Sequence, residues 1–181
     1  MKQHEQTKYV FAKSIKELMV NHSLDKITVT DIVKLSGMTR QTFYRCFQDK
    51  YDLVNWYFEK LADKSFRQIG ESKTLREGLI KKFEFIYHDQ VFFTQAFQSK
   101  DYNNVEKYDY ECILEFYKQM IQKRYGEVPE DVLFLLEMYC HGSITMTVEW
   151  AIHGMVESPE EIADLLIEAL PPKLRVLLLE N

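Results

Sequence analysis

The sequence has few of the residues that interrupt regular structure or cross-link a chain. Six glycines, four prolines and three cysteines occur in 181 residues. Scarce glycine and proline favour long helices, and three widely spaced cysteines argue against a disulfide framework. No group of cysteines and histidines has the number and spacing of ligands that a zinc site needs. The length suits one domain, or a small module joined to a larger one, with a sizeable core.

Long apolar runs are also lacking. No segment reaches the roughly 18 apolar residues that are needed to cross a bilayer. The first twenty residues place Lys8, Lys13 and Glu17 among their apolar positions, which is unlike a signal peptide. We therefore expect a soluble, cytoplasmic protein without a membrane partner.

Charge is distributed unevenly along the chain. Residues 1–50 hold nine Lys/Arg and five Asp/Glu, a net charge of +4, whereas residues 51–181 hold 14 and 23, a net charge of −9. A basic segment ahead of an acidic one is typical of a nucleic-acid-binding module attached to a domain with another role. Simple variation of surface charge along the chain is the alternative interpretation.

The basic segment contains the pattern of two short helices joined by a tight turn. Thr28 and Asp31 have the spacing of a capping box, in which each side chain accepts from the other residue's backbone N–H. Gly37 follows about two turns later, where a positive φ would end the first helix. Thr39 can then cap the second helix. This pattern predicts a helix-turn-helix whose second helix reads DNA.

The helix after Thr39 has one apolar and one polar side. Phe43 and Phe47 are four residues apart and are predicted to face the core. Arginine and glutamine, which can bind the edges of bases, lie on the other side. Tyr44 and Lys50 suit phosphate oxygens. We expect Lys50 to lie in the first turn of the next helix, capped by Asp49, where its backbone N–H and its ammonium group could bind one phosphate.

The segment ITVTDIVKLSGMTRQTFYRCFQDKYDLV resembles the helix-turn-helix of TetR/AcrR-family transcription regulators. The matching positions are Thr28, Ile32, Val33, Gly37, Thr39, Phe43, Tyr44, Phe47, Lys50 and Leu53. The resemblance implies a TetR-like all-α fold of about nine helices, with the reader helix at a DNA groove. It also implies a three-helix DNA-binding domain in residues 1–50 and a helical ligand-sensing and dimerisation domain in residues 51–181.

The resemblance assigns DNA-contacting roles residue by residue. The positions that read bases in the family correspond to Arg40, Gln41, Thr42 and Arg45. The positions that bind phosphates correspond to Thr28, Tyr44 and Lys50. Cys46 stands where a histidine is frequent in the family. We favour a packing role for Cys46 over a redox role.

The family resemblance also implies the partners, which are a palindromic double-stranded DNA operator and a second copy of the chain. The homodimer is expected to form through residues 129–154 and 159–170. The first of these segments is apolar almost all the way round, which indicates burial on more than one side. Ser158, Pro159 and Glu161 form a favourable start for the second. No cofactor or metal is implied.

An effector pocket is expected in the second domain. Aromatic residues and methionine with a few polar groups are typical of an apolar ligand site, and they are equally typical of a helical core. The candidate lining residues are Tyr87, His88, Phe92, Tyr117, Tyr139, His141, Met146 and Trp150. Glu149 and His153 lie one turn apart, but two ligands alone do not make a metal site.

Two other functions compete with a ligand-responsive regulator. RQTFY, Trp56 and the VFFTQAF segment are similar to a TetR-like subgroup that includes the dihydroxyacetone-kinase operon activator, which implies a protein coregulator as the alternative effector. An enzyme would use His141, Glu149 or His153 as acid and base groups. No nucleophile motif, phosphate-binding loop or metal cluster supports catalysis, so we predict that the protein is not an enzyme.

Overall fold

The computed structural model describes residues 3–70, 74–99 and 102–179. These parts contain ten α-helices, a short 3-10 helix at Leu24–Lys26 and no strand, which confirms the all-α prediction. None of the helices described is long and apolar enough to span a membrane. In chain order they are α1 (Gln3–Met19), α2 (Val29–Ser36), α3 (Arg40–Cys46), α4 (Lys50–Gly70), α5 (Leu75–His88), α6 (Gln90–Phe97), α7 (Tyr102–Tyr125), α8 (Glu130–Ile152), α9 (Pro159–Glu168) and α10 (Pro172–Leu179).

Local hydrogen bonds set the ends of α2 and α3 as the sequence predicts. The Thr28 hydroxyl accepts from the Asp31 N–H at 3.2 Å, and the Asp31 carboxylate accepts from the Thr28 N–H at 3.0 Å. These bonds to Thr28 hold the pKa of Asp31 below its usual value. Gly37 ends α2 with φ of 69°, and Thr39 caps α3 by accepting from the Thr42 N–H at 3.1 Å. The predicted helix-turn-helix therefore has both of its caps.

Aromatic packing fixes α3 against α1 and the start of α4. Phe43 packs edge-to-face on Phe11, with ring centroids 5.2 Å apart, and lies 5.8 Å from Phe47. Phe47 in turn lies 5.7 Å from Trp56 on α4. Phe11, Phe43 and Phe47 are buried, which confirms the predicted core side of α3. Such ring pairs add to the free energy gained from burial, so the orientation of α3 is held by the core below it.

The remaining helices form a layered body behind the helix-turn-helix. Helix α5 packs on α4 and α9, α7 packs on α4 and α8, and α6 contacts α1, α7 and α8. Asp89 separates α5 from α6, as the C-cap of the one and the N-cap of the other. Helix α8 buries Leu136, Ile144 and Trp150, while Phe134 on its opposite side is 66% exposed. Within one chain, α8 is therefore buried on one side, and burial of its other side against a second copy stays a prediction.

The C-terminal helix α10 was not predicted from the sequence, because the family resemblance implied about nine helices and the described residues form ten. Pro172 is the first residue of α10. Proline is tolerated there because the first helical N–H has no intrahelical partner. Leu174 and Leu178 lie one turn apart and are buried. Their burial against α7 and α8 stabilises an additional short helix after the proline pair.

Candidate nucleic-acid interface

Helix α3 presents its polar side to solvent. Arg40, Gln41 and Arg45 are exposed, and Tyr44 is 58% exposed. The rings of Phe43 and Tyr44 are nearly perpendicular, with centroids 5.6 Å apart, so the tyrosine extends outward from the buried phenylalanine. These four side chains are therefore exposed enough to contact bases or phosphates. Their roles in reading DNA stay predictions.

Two threonines organise the exposed N-terminal end of α3. The Thr39 and Thr42 hydroxyl groups lie 2.9 Å apart and share a hydrogen bond, so the half-buried Thr42 has a defined orientation. The Arg40 guanidinium donates to the hydroxyl of Thr30 on α2. Arg40 is thus held between the two helices of the helix-turn-helix in the structure without DNA.

The predicted phosphate ligand Thr28 is already occupied. Its hydroxyl donates to the Asp31 carboxylate at 2.6 Å, and its N–H binds the same carboxylate. A phosphate group would have to displace Asp31 to receive either hydrogen bond. The structure therefore places Thr28 in a helix cap, where its contribution to DNA binding would come through the position of α2.

Lys50, another predicted phosphate ligand, has internal partners in the structure without DNA. Its ammonium group donates to the backbone carbonyls of Leu24, Asp25 and Ile27, each at 2.8 Å. An ammonium group has three donors, and these three bonds use them all. The Leu24 carbonyl also accepts from the Ile27 N–H at 3.2 Å, so Lys50 adds a second hydrogen bond there. A cation near the carbonyl groups at the end of a helix is favourable. The side chain of Lys50 thereby joins this segment to the start of α4, and its role in phosphate binding stays a prediction.

The cap of α4 follows the sequence prediction. One carboxylate oxygen of Asp49 accepts from the N–H groups of Tyr51 and Asp52, at 2.8 and 2.9 Å. The Tyr51 hydroxyl donates to the Asp25 carboxylate at 2.9 Å. Lys50 and Tyr51 are the first two residues of α4, and the side chain of each therefore joins α4 to the segment of the 3-10 helix.

Cys46 lies at the end of α3, half-buried against the core. Its sulfur is 4.0 Å from Nε2 of His4 on α1. No second cysteine is bonded to it. This environment supports the predicted packing role, because the side chain fills space between α3 and α1.

The eight candidates for an effector pocket do not line a common cavity in this structure, and their role in effector binding stays a prediction. Half of them point outward, since helical periodicity alternates core and surface positions; the exposed members are Tyr87, His88, His141 and Met146. His141 stacks on Tyr110 with ring centroids 4.2 Å apart. Exposed side chains of this kind cannot surround a ligand within one chain.

The four buried candidates are core residues with satisfied polar atoms. Phe92 packs edge-to-face on Tyr57 at 5.0 Å. The indole N–H of Trp150 donates to the backbone carbonyl of Glu157 at 3.0 Å, and Tyr139 donates to a carbonyl of α9 at 2.8 Å. Tyr117 lies beside Tyr139, and burial raises the pKa of its hydroxyl well above the usual value. These residues mainly join the body helices to each other.

Two long-range contacts that the sequence did not indicate connect the body to the helix-turn-helix. The N–H of Leu24 donates to the side chain of Gln95 on α6 at 3.0 Å. Lys16 on α1 donates to Asp89, between α5 and α6, at 2.6 Å. Burial lowers the pKa of Lys16, but the hydrogen bond and charge of Asp89 raise it overall. The partners are more than 70 residues apart, so no local pattern could reveal them.

The body has an open groove and a small internal cavity. The groove, of about 1260 Å³, lies between α1, α4 and α7 and carries mixed charges, including Glu5, Asp63 and Lys123. The cavity, of about 20 Å³, lies among α5, α7, α8 and α9. Within the three described stretches, no group of three or more histidine, cysteine, aspartate or glutamate side chains is placed to hold a metal ion.

Comparison with known proteins identifies relatives of both halves of the chain. A family described as "Bacterial regulatory proteins, tetR family" matches residues 13–56, and one described as "Transcriptional regulator C-terminal region" matches residues 73–171. The HTH-type dhaKLM operon transcriptional activator DhaS of Lactococcus lactis subsp. lactis (strain IL1403) is 28% identical over 97 residues. That match covers 54% of this chain and spans about half of the relative, 52% of its length.

Solved structures share the fold over almost the whole chain. The dihydroxyacetone kinase operon activator DhaS superposes with a TM-score of 0.70 at 21% identity, covering 94% of this chain and 97% of its own. A TetR-family transcriptional regulator from Syntrophomonas wolfei str. Goettingen has a TM-score of 0.72 at 18% identity, covering 99% of this chain and 100% of its own. At these identities the likeness is one of fold.

The position of Lys50 predicts a loss of stability when its ammonium group is removed. Lys50→Met keeps the length of the side chain but removes the three hydrogen bonds that its ammonium group donates. We expect the free energy of unfolding to fall by about 2 kcal/mol, as for lost hydrogen bonds to a charged group. Urea denaturation followed by circular dichroism measures the change.

Lys34→Met is the matched control, because Lys34 is an exposed lysine of α2. Its free energy of unfolding should change by no more than about 0.5 kcal/mol. If the two variants are equally stable and only Lys50→Met loses DNA affinity, the result would support phosphate binding by Lys50 and contradict its stabilising role.

Proposed function

Because this chain is a transcription regulator of the TetR family, we propose that residues 1–50 bind a palindromic DNA operator and that residues 51–181 join two copies and respond to an effector. The single observation that carries the DNA-binding proposal is the two-sided α3. Phe43 and Phe47 anchor the helix in the core, while Arg40, Gln41 and Arg45 remain exposed. A reader helix needs this combination of a rigid support and free polar side chains.

The exposed side chains divide by chemistry into two proposed roles. Arg45 can donate two hydrogen bonds to guanine, and Gln41 can pair with adenine. The Tyr44 hydroxyl suits a phosphate oxygen, which positions the helix without selecting a sequence. The net charge of +4 on residues 1–50 favours approach to DNA in spite of the acidic body. Thr28 and Lys50 contribute indirectly, by holding the ends of α2 and α4.

We propose that α8 and α9 form the surface between two copies. Phe134, Met138 and Met146 follow each other at intervals of four and eight residues on one side of α8, and each is more than half exposed. Leu165 on the neighbouring α9 is 51% exposed. The two helices are joined by the hydrogen bond from Tyr139 to the Leu166 carbonyl, and exposed apolar side chains on adjoining helices are typical of an interface. A second copy is the occupant that a palindromic site requires, because two-fold symmetry in the DNA mirrors two-fold symmetry in the protein.

The Leu24–Lys26 segment is the proposed route from the body to the reader helix. The N–H of Leu24 is bound by Gln95 of α6, and its carbonyl is bound by Lys50 of α4. A displacement of α6 would therefore act on the start of α4 through a single residue. An effector shifts the distance between the two reader helices only if it binds the two arrangements with different affinities.

Selection from random DNA duplexes tests the proposed function directly. We expect the purified protein to enrich a palindrome with half-sites about one helical turn of 34–36 Å apart, or a multiple of it. Arg45→Ala should change the preferred base at one position of each half-site, at a cost of about 1–3 kcal/mol. Tyr44→Phe should weaken all sequences alike and leave the preference unchanged.

Lys123→Ala, an exposed lysine at the far end of α7, serves as the control and should bind as the unchanged protein does. If Arg45→Ala enriches the same sequence as Tyr44→Phe and Lys123→Ala do, the assignment of α3 as the reader helix is refuted. Enrichment only after addition of a cell extract would favour the protein-coregulator alternative.

The proposed dimer predicts that a charge on the α8 surface separates the copies. Met138→Glu places a carboxylate in the centre of the apolar surface, where burial without a partner is costly. We expect the molar mass from light scattering to fall from that of a dimer to that of a monomer at micromolar concentration. Val20→Glu, at a 65% exposed valine after α1, should leave the dimer intact. A dimer that persists in Met138→Glu would place the interface elsewhere.

The contact between Gln95 and Leu24 predicts a local effect on the 3-10 helix. Gln95→Ala leaves the N–H of buried Leu24 without its acceptor, so the segment should open more easily by about 1 kcal/mol. Hydrogen exchange at the Leu24 amide reports this opening. Gln98→Ala, at an exposed glutamine three residues later, should not change it. Unchanged exchange in Gln95→Ala would rule out this route between the body and the DNA-binding domain.

A further inference from the structure

The first arginine of the reader helix is held by Thr30, a residue without an assigned role in DNA binding. Arg40 is the first residue of α3, and its Nη2 group donates to the hydroxyl of Thr30, the second residue of α2. The two residues are ten positions apart and belong to different helices. Both are exposed. This hydrogen bond therefore lies on the surface of the helix-turn-helix that is proposed to face DNA.

The hydrogen bond between Arg40 and Thr30 adds little to the fold itself. The capping box of Thr28 sets the start of α2, Thr39 caps α3, and the burial of Phe43 holds α3 in the core. An exposed hydrogen bond replaces bonds that both partners would otherwise make to water, so its net contribution to stability is small. Its main effect is on Arg40, because a long side chain that is free in solvent populates many more rotamers than a bound one.

A hydroxyl acceptor orients the guanidinium of Arg40 without neutralising its charge. Among the described residues Arg40 forms no ion pair, and Thr30 is its hydrogen-bond partner. Arg76 shows the contrast, because its guanidinium makes two hydrogen bonds to the carboxylate of Asp164. An arginine paired in that way would have to leave its carboxylate before it could bind DNA. Arg40 is held in place and keeps its full positive charge.

The bound guanidinium also keeps a complete pair of parallel donors. Its five N–H groups lie in one plane, and Nη2 contributes one hydrogen to the pair with Nε and the other to the pair with Nη1. The bond to Thr30 interrupts one of these pairs and leaves the other intact. In the major groove, O6 and N7 of guanine accept from such a pair. The N-terminal residues of a reader helix are the ones that contact base edges, and Arg40 has that position in α3.

We propose that Thr30 is a positioning residue for base reading, which fixes the Arg40 guanidinium so that its free donor pair meets a guanine. The inference rests on the proposed function, because it requires α3 to lie in the major groove. An arginine that is oriented before binding loses less conformational entropy when it meets guanine. An arginine that is free to turn can instead donate to other acceptors, such as O4 of thymine. Removal of the Thr30 hydroxyl should therefore reduce discrimination between bases more than general affinity for DNA.

Discrimination at one base pair tests this role. The base pair that Arg40 reads is the one whose preference disappears when duplexes are selected again with Arg40→Met. Dissociation constants are then measured for the selected duplex and for one in which thymine replaces that guanine. We expect the ratio of the second constant to the first to fall by a factor of about 5 to 150 in Arg40→Met. In Thr30→Val, which keeps the shape of threonine without its hydroxyl, it should fall by a factor of about 3 to 10.

Combining the two changes separates positioning from a direct contact with DNA. If Thr30 acts through Arg40, Thr30→Val has no further effect on the ratio once Arg40 is replaced by methionine. Thr30→Ser keeps the hydroxyl and should retain the ratio of the unchanged protein. Thr145→Val is the remote control, because Thr145 is an exposed threonine of α8 whose hydroxyl donates to the carbonyl of His141. It should also leave the ratio unchanged.

The full-length protein without DNA gives a second readout. Nitrogen-15 relaxation of the Arg40 Nε–H group reports the order of this side chain on the picosecond to nanosecond timescale. The order should be lower in Thr30→Val than in the unchanged protein and should be retained in Thr30→Ser. Equal order in Thr30→Val and the unchanged protein would overturn the positioning role.

Three results with DNA would also overturn it. Thr30→Val could weaken all duplexes alike, with the same effect in Arg40→Met, which would make Thr30 a phosphate ligand. Thr30→Val could raise the ratio, which would mean that Thr30 competes with DNA for Arg40. A selected palindrome with an unchanged ratio in Thr30→Val would remove the role of Thr30 and leave the proposed function standing, whereas failure to select any sequence would remove both.

Discussion

The position of the reader helix depends on the burial of Phe43 and Phe47. These two rings bring α3 onto Phe11 of α1 and Trp56 of α4, in a chain of ring contacts between 5.2 and 5.8 Å. Because the side chains alternate around a helix, burying this pair exposes the arginines and glutamine on the opposite side. Burial of the apolar side of α3 therefore also determines that its polar side faces solvent.

A second constraint joins this unit to the body. The 3-10 helix between α1 and α2 is bound on its carbonyl side by Lys50 and on its N–H side by Gln95. A lysine directed at three carbonyls leaves one fewer cation for DNA, but it fixes the angle at which α4 leaves the reader helix. The side chain that binds phosphate in the family resemblance thus has an internal role in this chain.

Much of the fold follows from local patterns in the sequence. The capping box at Thr28 and Asp31, the left-handed Gly37 and the Ser158 cap were all predictable, because each depends on residues within one turn. The division between the two sides of α3 followed from helical periodicity for the same reason. Periodicity could not identify an effector pocket, since it separates core from surface positions but does not distinguish a core side chain from one that lines a cavity.

The sequence by itself determined that the chain is helical, where its helix-turn-helix lies, and which face of α3 is polar. These properties depend on side chains within a few residues of each other, whose interactions any folded context preserves. Only the tertiary structure decided that Lys50 binds Leu24, that Gln95 binds the same residue, and that Lys82 meets Asp109. Those pairs are 26, 71 and 27 residues apart in the chain, and their partners are selected by helix packing rather than by spacing.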